Sequence, residues 1–296
     1  MDLWRLFGLK KMKNNNKSKR IIIITILILL AVFGGITVWG NLTVGTTRYK
    51  ITLERLPVAF EGYKIAQIAD LHNSEFGEDN SKTIKILKEE NPDIIVITGD
   101  LVDSNHMDID IAIKFIQQAV KISPCYYVTG NHEAWIGDIY YELEEQLLDA
   151  GVTVLRDEVI TISNDKDSIQ LIGLDDPDFS DQAPYLQESM LEAKLYNMNL
   201  KDGFKILLSH RPEFFGVYVK NDIDLVLSGH AHGGQFRIPF IGGVIAPNRG
   251  FFPKYDAGEY HEANTTMIVS RGIGNSIIPV RINNRPEVVI VQLYSQ

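Results

Sequence analysis

The sequence predicts an α/β protein with a parallel sheet and covering helices, carried behind one membrane-spanning helix. Three observations predict it. From about residue 48 onward, apolar runs of strand length alternate with amphipathic helical stretches. Residues 21–39, IIIITILILLAVFGGITVW, form a run without a charge. Of 296 residues, 45% are hydrophobic and 23% charged, which excludes a disordered chain.

The N-terminal region reads in three parts. Residues 1–20 are a basic tail: Arg5, Lys10, Lys11, Lys13, Lys17, Lys19 and Arg20 stand against Asp2 alone. Residues 21–39 follow as the anchor. At 1.5 Å per residue, a helix of that length spans roughly the ~30 Å hydrocarbon core. Basic residues before the run place the N-terminus in the cytoplasm and the body outside, so a single-pass membrane protein with an extracytoplasmic catalytic domain is expected. A cleaved signal peptide is the competing reading, but the run is long for a signal core and no A-x-A-like site follows it. Residues 40–47 are small and polar and read as a linker, which leaves 48–296 as one domain. The formal net charge is -9, and removing the basic tail makes the rest more acidic still. No nucleic acid partner is therefore expected. The single cysteine, Cys125, excludes a disulfide framework and a thiolate metal cluster.

The elements follow in order. Strands are expected over 63–70, 93–100 and 125–131, with helices over 80–91, 107–122 and 139–151 between and after them. Asn80 or Ser81 is a plausible cap for the first helix, and Gly151 closes the third. Short strands joined by tight turns fill 152–176. Buried strands over 203–210 and 223–230 flank a helix-like stretch, PEFFGVYVK, and further strands lie near 265–270 and 287–293.

Five of the seven histidines immediately follow a predicted strand. The stretches are ADLH (69–72), TGNHE (129–133), LSH (208–210) and SGHAHGG (228–234), with TGD (98–100) at a fifth strand end. Ligands of open α/β sheets bind beyond the carboxyl ends of strands. Asp70, His72, Asp100, Asn131, His210, His230 and His232 would thus gather at one edge. Carboxylate, amide oxygen and imidazole suit manganese, iron or zinc, and seven donors fit two ions better than one. Asp70 and His72 are two apart, as are His230 and His232, and in extended chain each pair points to one side.

This order of blocks, D-x-H, G-D, G-N-H-E, H and G-H-x-H, resembles the calcineurin-like metallophosphoesterase superfamily. The flanks GHAHGGQFRIP, LIGLDDP and SRGIGNSIIPVRINNRPEVVIVQL are similar to its branch of membrane-anchored or exported bacterial phosphodiesterases, with Ala231 in place of the usual Thr. The resemblance implies a four-layer α/β/β/α sandwich of two mixed sheets. It implies that Asp70, His72 and His232 hold one metal, that Asn131, His210 and His230 hold the second, and that Asp100 bridges them. It also implies that His132 acts on the substrate without ligating, with Asp103 as its acidic partner. Two divalent ions, manganese first among them, are the expected cofactors.

Other residues take plainer readings. Glu133 is read as structural, Cys125 as packed within its strand, and His106 and His261 as surface residues. Asp175 and Asp176 are a turn before Pro177 or lie near substrate. Gly233, Gly234 and Gln235 could shape a substrate rim, and Arg211 and Arg271 could bind phosphate. The apolar, glycine-rich stretch 236–253 is a packed loop or a lip that meets lipid. The expected activity is hydrolysis of a phosphodiester in envelope material or a small molecule. Pyrophosphohydrolysis of a nucleotide-linked lipid and a non-catalytic wall- or membrane-binding role are the alternatives.

Overall fold

The computed structural model describes residues 16–180, 182–246, 250–275 and 278–296. Most of the expected basic tail, including Arg5, Lys10, Lys11 and Lys13, lies outside the described residues, as do residues 247–249 of the apolar loop. The first element, α1 (Asn16–Asn41), contains a stretch from Lys19 to Asn41 with mean hydropathy 3.0. It is long and apolar enough to cross a membrane. Apolar side chains cover its whole circumference and are exposed, among them Ile21, Leu29 and Phe33. Such a helix has no polar face to turn toward water.

Residues 40–296 form the body. Its first strand is β1 (Gly45–Leu53), so the expected linker 40–47 is shorter than its composition suggested. Helix α1 runs through Asn41, and residues 45–47 pair with β16 (Glu287–Ser295). Small polar residues read as a linker, but here they begin a strand whose first residues are only half covered. The chain continues through β2 (Lys64–Ile68), α2 (Ser81–Glu90), β3 (Ile94–Thr98), α3 (Ile109–Ala119) and β4 (Cys125–Val128). Helices α4 (Asn131–Trp135) and α5 (Ile139–Asp149) precede β5 (Thr153–Val154). The second half holds β6 (Glu158–Asn164), β7 (Asp167–Gly173), α6 (Gln187–Asn197), β8 (Lys205–Leu208), α7 (Phe215–Lys220) and β9 (Leu225–Ser228). Two short hairpins follow, β10 (Arg237–Ile238) with β11 (Gly242–Gly243), and β12 (Ile245–Ala246) with β13 (Gly250–Phe251). Strands β14 (Gly258–Glu262) and β15 (Thr265–Val269) precede β16.

These strands make two six-stranded mixed sheets, in the orders β1-β16-β2-β3-β4-β5 and β14-β15-β9-β8-β7-β6. Strand periodicity explains the layering. In β2 and β3, Ile65, Ile94 and Val96 face one way, toward Leu171, Leu208 and Leu227 of the other sheet. Ala66, Ile68, Ile95 and Ile97 face the other way, onto α2, α3 and α5. The second sheet repeats this: Ile172, Leu207 and Val226 meet Leu191 and Leu195 of α6 and Val217 of α7. The result is the expected four-layer α/β/β/α sandwich. Both faces of the central strands are covered, which is why they read as continuous apolar runs. Removing one fully buried side chain between the sheets, as in Leu171→Ala, costs about 2–5 kcal/mol.

One local expectation changes and one helix was not foreseen. Asn80 does not cap α2. Its Oδ1 accepts from the Phe76 amide and its Nδ2 donates to the Ser74 carbonyl, so the side chain braces the loop that follows β2. Helix α6 was not legible because it buries only Leu191 and Leu195, and its other residues carry no clear stripe.

Candidate metal centre

Each donor stands just past the end of a strand. Asp70 and His72 follow β2, Asp100 follows β3, and Asn131 opens α4 after β4. His210 follows β8, and His230 and His232 follow β9. The strands come from both sheets, so the donors converge where the two sheet edges meet. All seven are buried.

The backbone at this edge is unusual. Asp70, His72, Asp100, His230 and His232 have φ of 52°, 45°, 55°, 69° and 48°. Side-chain-bearing residues adopt this left-handed region uncommonly, and such conformations cluster at functional sites. It also corrects the extended-chain expectation. His230 and His232 do not share a side: each has left-handed backbone, and they join different donor groups.

Two groups form. Asp70, His72, Asp100 and His232 each bring one donor atom into the first, with those atoms within 4.8 Å of one another. Asp100, His210 and His230 make the second. Asp100 belongs to both, the form a dinuclear site takes. Its Oδ2 lies 3.4 Å from His72 Nε2 and 3.1 Å from His210 Nε2. Asn131 Oδ1 is 3.1 Å from the same His210 nitrogen, and His230 Nδ1 is 3.2 Å from it. His72 and His232 face each other, Nε2 to Nε2, at 3.1 Å.

The surrounding bonds aim these atoms. His210 Nδ1 donates to the Thr98 carbonyl at 2.8 Å, which turns Nε2 inward, as outer partners do for ligating histidines. The His230 amide donates to Asp70 at 3.0 Å. Glu133, as expected, is structural: its carboxylate accepts the amides of Gly130, Asp100 and Val102, tying the loop after β4 to the loop after β3. Those loops touch so closely that a Cβ on Gly130 would lie 2.2 Å from Asp100 Oδ1, so the position requires glycine.

Electrostatics fit a cation. Burial, helped by the charge of Asp100, pushes Asp70 up to about 7. Burial, helped by neighbouring histidines, lowers His72 to about 3, and burial with the charges of His72 and Arg281 holds His232 well below the usual imidazole range. For Asp100, burial is outweighed by the charge of His210 and the bond to it, so the carboxyl stays well below its usual value. Burial would lower His210 too, but Asp100 overcomes it and raises the imidazole to about 10. Among these residues only Asp100 and His210 pair as opposite charges, and the remaining lone pairs crowd together. Divalent cations would neutralise the carboxylates and use the inward nitrogens, so the donor set fits them.

A family model described as calcineurin-like phosphoesterase matches residues 63–234, the span that supplies every one of these donors. The chain belongs to the calcineurin-like phosphoesterase family. It is 31% identical over 262 residues to an uncharacterized metallophosphoesterase, YkuE, of Bacillus subtilis, covering 84% of this chain and 85% of that protein. It is 30% identical over 240 residues to the phosphodiesterase YaeI of Escherichia coli, covering 78% and 82%. It is also 30% identical over 255 residues to a transmembrane protein with metallophosphoesterase domain of Danio rerio, covering 82% of this chain and 56% of that one. As a calcineurin-like phosphoesterase, the chain is a metal-dependent phosphoesterase.

Other expected site residues of this phosphoesterase sit as follows. His132 stands beside the first donor group, its ring 4.4 Å from that of His72. Its Nδ1 accepts from the Ser104 amide at 3.0 Å. Asp103 lies 3.6 Å from that nitrogen, beyond hydrogen-bond reach, and accepts the Asn105 amide at 2.8 Å. The Ser104 amide and its hydroxyl, at 3.1 Å, both stand nearer His132 Nδ1 than Asp103 does.

Both arginines named as phosphate candidates are paired with carboxylates, and Arg211 Nη1 also lies 3.3 Å from His230 Nε2. Arg211 is buried and grips Asp176 with Nε at 2.6 Å and Nη2 at 2.9 Å. Arg271 pairs with Glu287 through Nε at 2.8 Å. Asp175 takes the Thr129 hydroxyl and the Arg156 guanidinium, so both acidic residues of 175–176 are structural here. Gln235 is no rim residue: it is fully buried and donates to the carbonyls of Ile278 and Val280.

Two residues of the centre escaped the sequence reading. Arg281 is fully buried, donates to the carbonyls of Arg271 and Gly274, and brings Nη2 to 3.4 Å from His232 Nδ1. Asn284 donates to the His232 carbonyl at 2.7 Å. Only their place in the quoted flank, RINN, could have signalled them.

Proposed function

We propose that this chain is a membrane-anchored phosphodiesterase, working with two manganese ions on envelope or small phosphodiester substrates. Iron or zinc would also suit the donors. The observation that carries the reading is the shared carboxylate, Asp100 Oδ2 between His72 and His210. In this reading Asp70, His72 and His232 hold one ion, Asn131, His210 and His230 the other, and Asp100 both. The ions supply Lewis-acid stabilisation of the phosphoryl group and a nucleophile derived from water.

The chain's own residues do the rest. Because His132 Nδ1 accepts the Ser104 amide, the neutral ring carries its proton on Nε2. That proton is available to the leaving alkoxide, or as a hydrogen bond to a phosphoryl oxygen. Donors fixed by buried backbone bonds need no rearrangement when charge develops. The name of the relative YaeI supports diesters over monoesters.

The test is turnover by the full chain in detergent, loaded with manganese. Bis-p-nitrophenyl phosphate should be cleaved faster than p-nitrophenyl phosphate, and a preference for the monoester would reject the reading. For topology, the basic residues before the apolar run support an N-in anchor with the body outside. Protease added to cells stripped of their wall should digest the body. A body protected until lysis would reverse the orientation and favour a lipid-nucleotide pyrophosphohydrolase.

A further inference from the structure

We propose that the apolar lip formed by residues 236–246 and 250–252 docks on the bilayer beside the metal centre, so that the enzyme takes phosphodiesters from the lipid headgroup layer. The proposal rests on the reading of residues 21–39 as a membrane anchor.

The lip is built and connected. Hairpins β10–β11 and β12–β13 are bound together, with the Val244 amide donating to the Phe236 carbonyl at 2.7 Å and the Phe252 amide to the Val244 carbonyl at 2.9 Å. They leave Phe240 wholly exposed, Phe251 74% exposed, and Ile241 and Phe252 exposed beside them. A soluble body seldom leaves so many large apolar side chains together in water. The lip also grows directly from the metal centre. The turn His232–Gly234 leads into β10, and the Gly234 carbonyl accepts the Val244 amide.

A chain of bonds runs from the lip to the place where the apolar helix ends. Phe236 bridges to Ile282, and the Arg237 amide donates to the Ile282 carbonyl at 3.0 Å. Next to Ile282, the Arg281 amide donates to Asn41 Oδ1 at 2.8 Å, while Asn41 Nδ2 donates to the Arg281 carbonyl at 2.7 Å. Asn41 lies two residues past the apolar run 21–39, so an anchored chain holds it at the membrane surface. Exposed Leu42 and Val280 flank this clamp. Clamp, lip and His232 are therefore joined within the body. An anchor that fixes Asn41 at the headgroups brings the phenylalanines within reach of the acyl boundary, where aromatic side chains partition well.

The experiment reads insertion and turnover separately. Full-length Phe240→Cys, Phe251→Cys and, as a control on exposed α6, Tyr196→Cys are labelled with a nitroxide. Buried Cys125 stays unlabelled. Each is reconstituted in phosphatidylethanolamine–phosphatidylglycerol vesicles. Labels at 240 and 251 should collide more with oxygen than with a water-soluble nickel chelate, and the label at 196 should do the reverse. Water-exposed labels at 240 and 251 would overturn the proposal. So would labels shielded from both agents before reconstitution, since that marks a protein partner.

In the second arm, Phe240→Ser with Phe251→Ser should leave bis-p-nitrophenyl phosphate turnover unchanged. It should lower hydrolysis of a phosphodiester lipid in the same vesicles by about tenfold or more. Equal loss on both substrates, or no loss on lipid, counts against the lip. Absence of diester turnover in the unaltered chain would reject the phosphodiesterase reading while the nitroxide result still decides docking.

Discussion

The His132 amide donates to Asp100 Oδ1 at 2.9 Å, which occupies one carboxylate oxygen and leaves Oδ2 facing His72 and His210. One backbone bond thus fixes which oxygen both donor groups share. Asp100→Asn keeps the shape but can present an amide nitrogen where a lone pair is needed. Metal analysis should show both ions weakened together, with turnover reduced at least about a hundredfold. Loss of one ion with the other retained at full affinity would contradict the shared role.

His132 and Asp103 should behave differently from each other. His132→Ala should retain both metals and lose about 10²–10⁴-fold in turnover, with the smaller loss for p-nitrophenolate leaving groups that need little protonation. Asp103→Asn should cost less than about tenfold, because Ser104 already holds Nδ1 and the carboxylate stands off at 3.6 Å. Equal losses in the two variants, measured by steady-state kinetics, would show that Asp103 orients the ring after all.

Arg281 is the test of the centre's support. Its guanidinium is fully buried and binds the carbonyls of Arg271 and Gly274, near the charges of Asp70 and Glu287. Removing it with Arg281→Met strands those carbonyls and should destabilise the body by about 3–5 kcal/mol in denaturant titrations. Arg281→Lys should recover little, since an ammonium cannot reproduce the fork. A melting point unchanged in both would show the buried charge to be dispensable.

How legible this molecule was depended on distance along the chain. Central strands such as Ile94–Thr98 and Leu225–Ser228 are apolar throughout because both faces are covered, and they are plain in the sequence. Strand β1 was hidden by its small, half-exposed start, and its partner β16 lies at the other end of the chain. The donors were visible because each stands just past a strand end, the seven sharing five strands. How they divide was not legible from spacing alone, since alternation along an extended chain would put His230 and His232 together; only the family resemblance assigned them to different ions, and the structure gathers them in different groups. Arg281 was invisible for a different reason. Its meaning comes from lying against His232 and Asn41, contacts that no local pattern encodes.

Cys125 carries the last prediction, which concerns pH. Burial in β4 pushes its thiol up to about 12, far above the ~8.5 of an exposed cysteine. Only the thiolate alkylates, so reaction with iodoacetamide should be far slower in the native chain than in urea throughout about pH 7 to pH 9, and should still be climbing with pH where the reaction in urea begins to level off. The sign for stability follows. Above the unfolded pKa, the native state keeps a proton that the unfolded chain has lost, so this group favours unfolding as pH rises. Its share of the loss is at most about 1.4 kcal/mol per pH unit, starting near pH 8.5. Cys125→Ala removes that term at the cost of a small cavity. Urea titrations from neutral to alkaline pH should therefore show a shallower decline for Cys125→Ala than for the unaltered chain. Parallel declines, with rapid native labelling, would mean that the thiol is open to solvent.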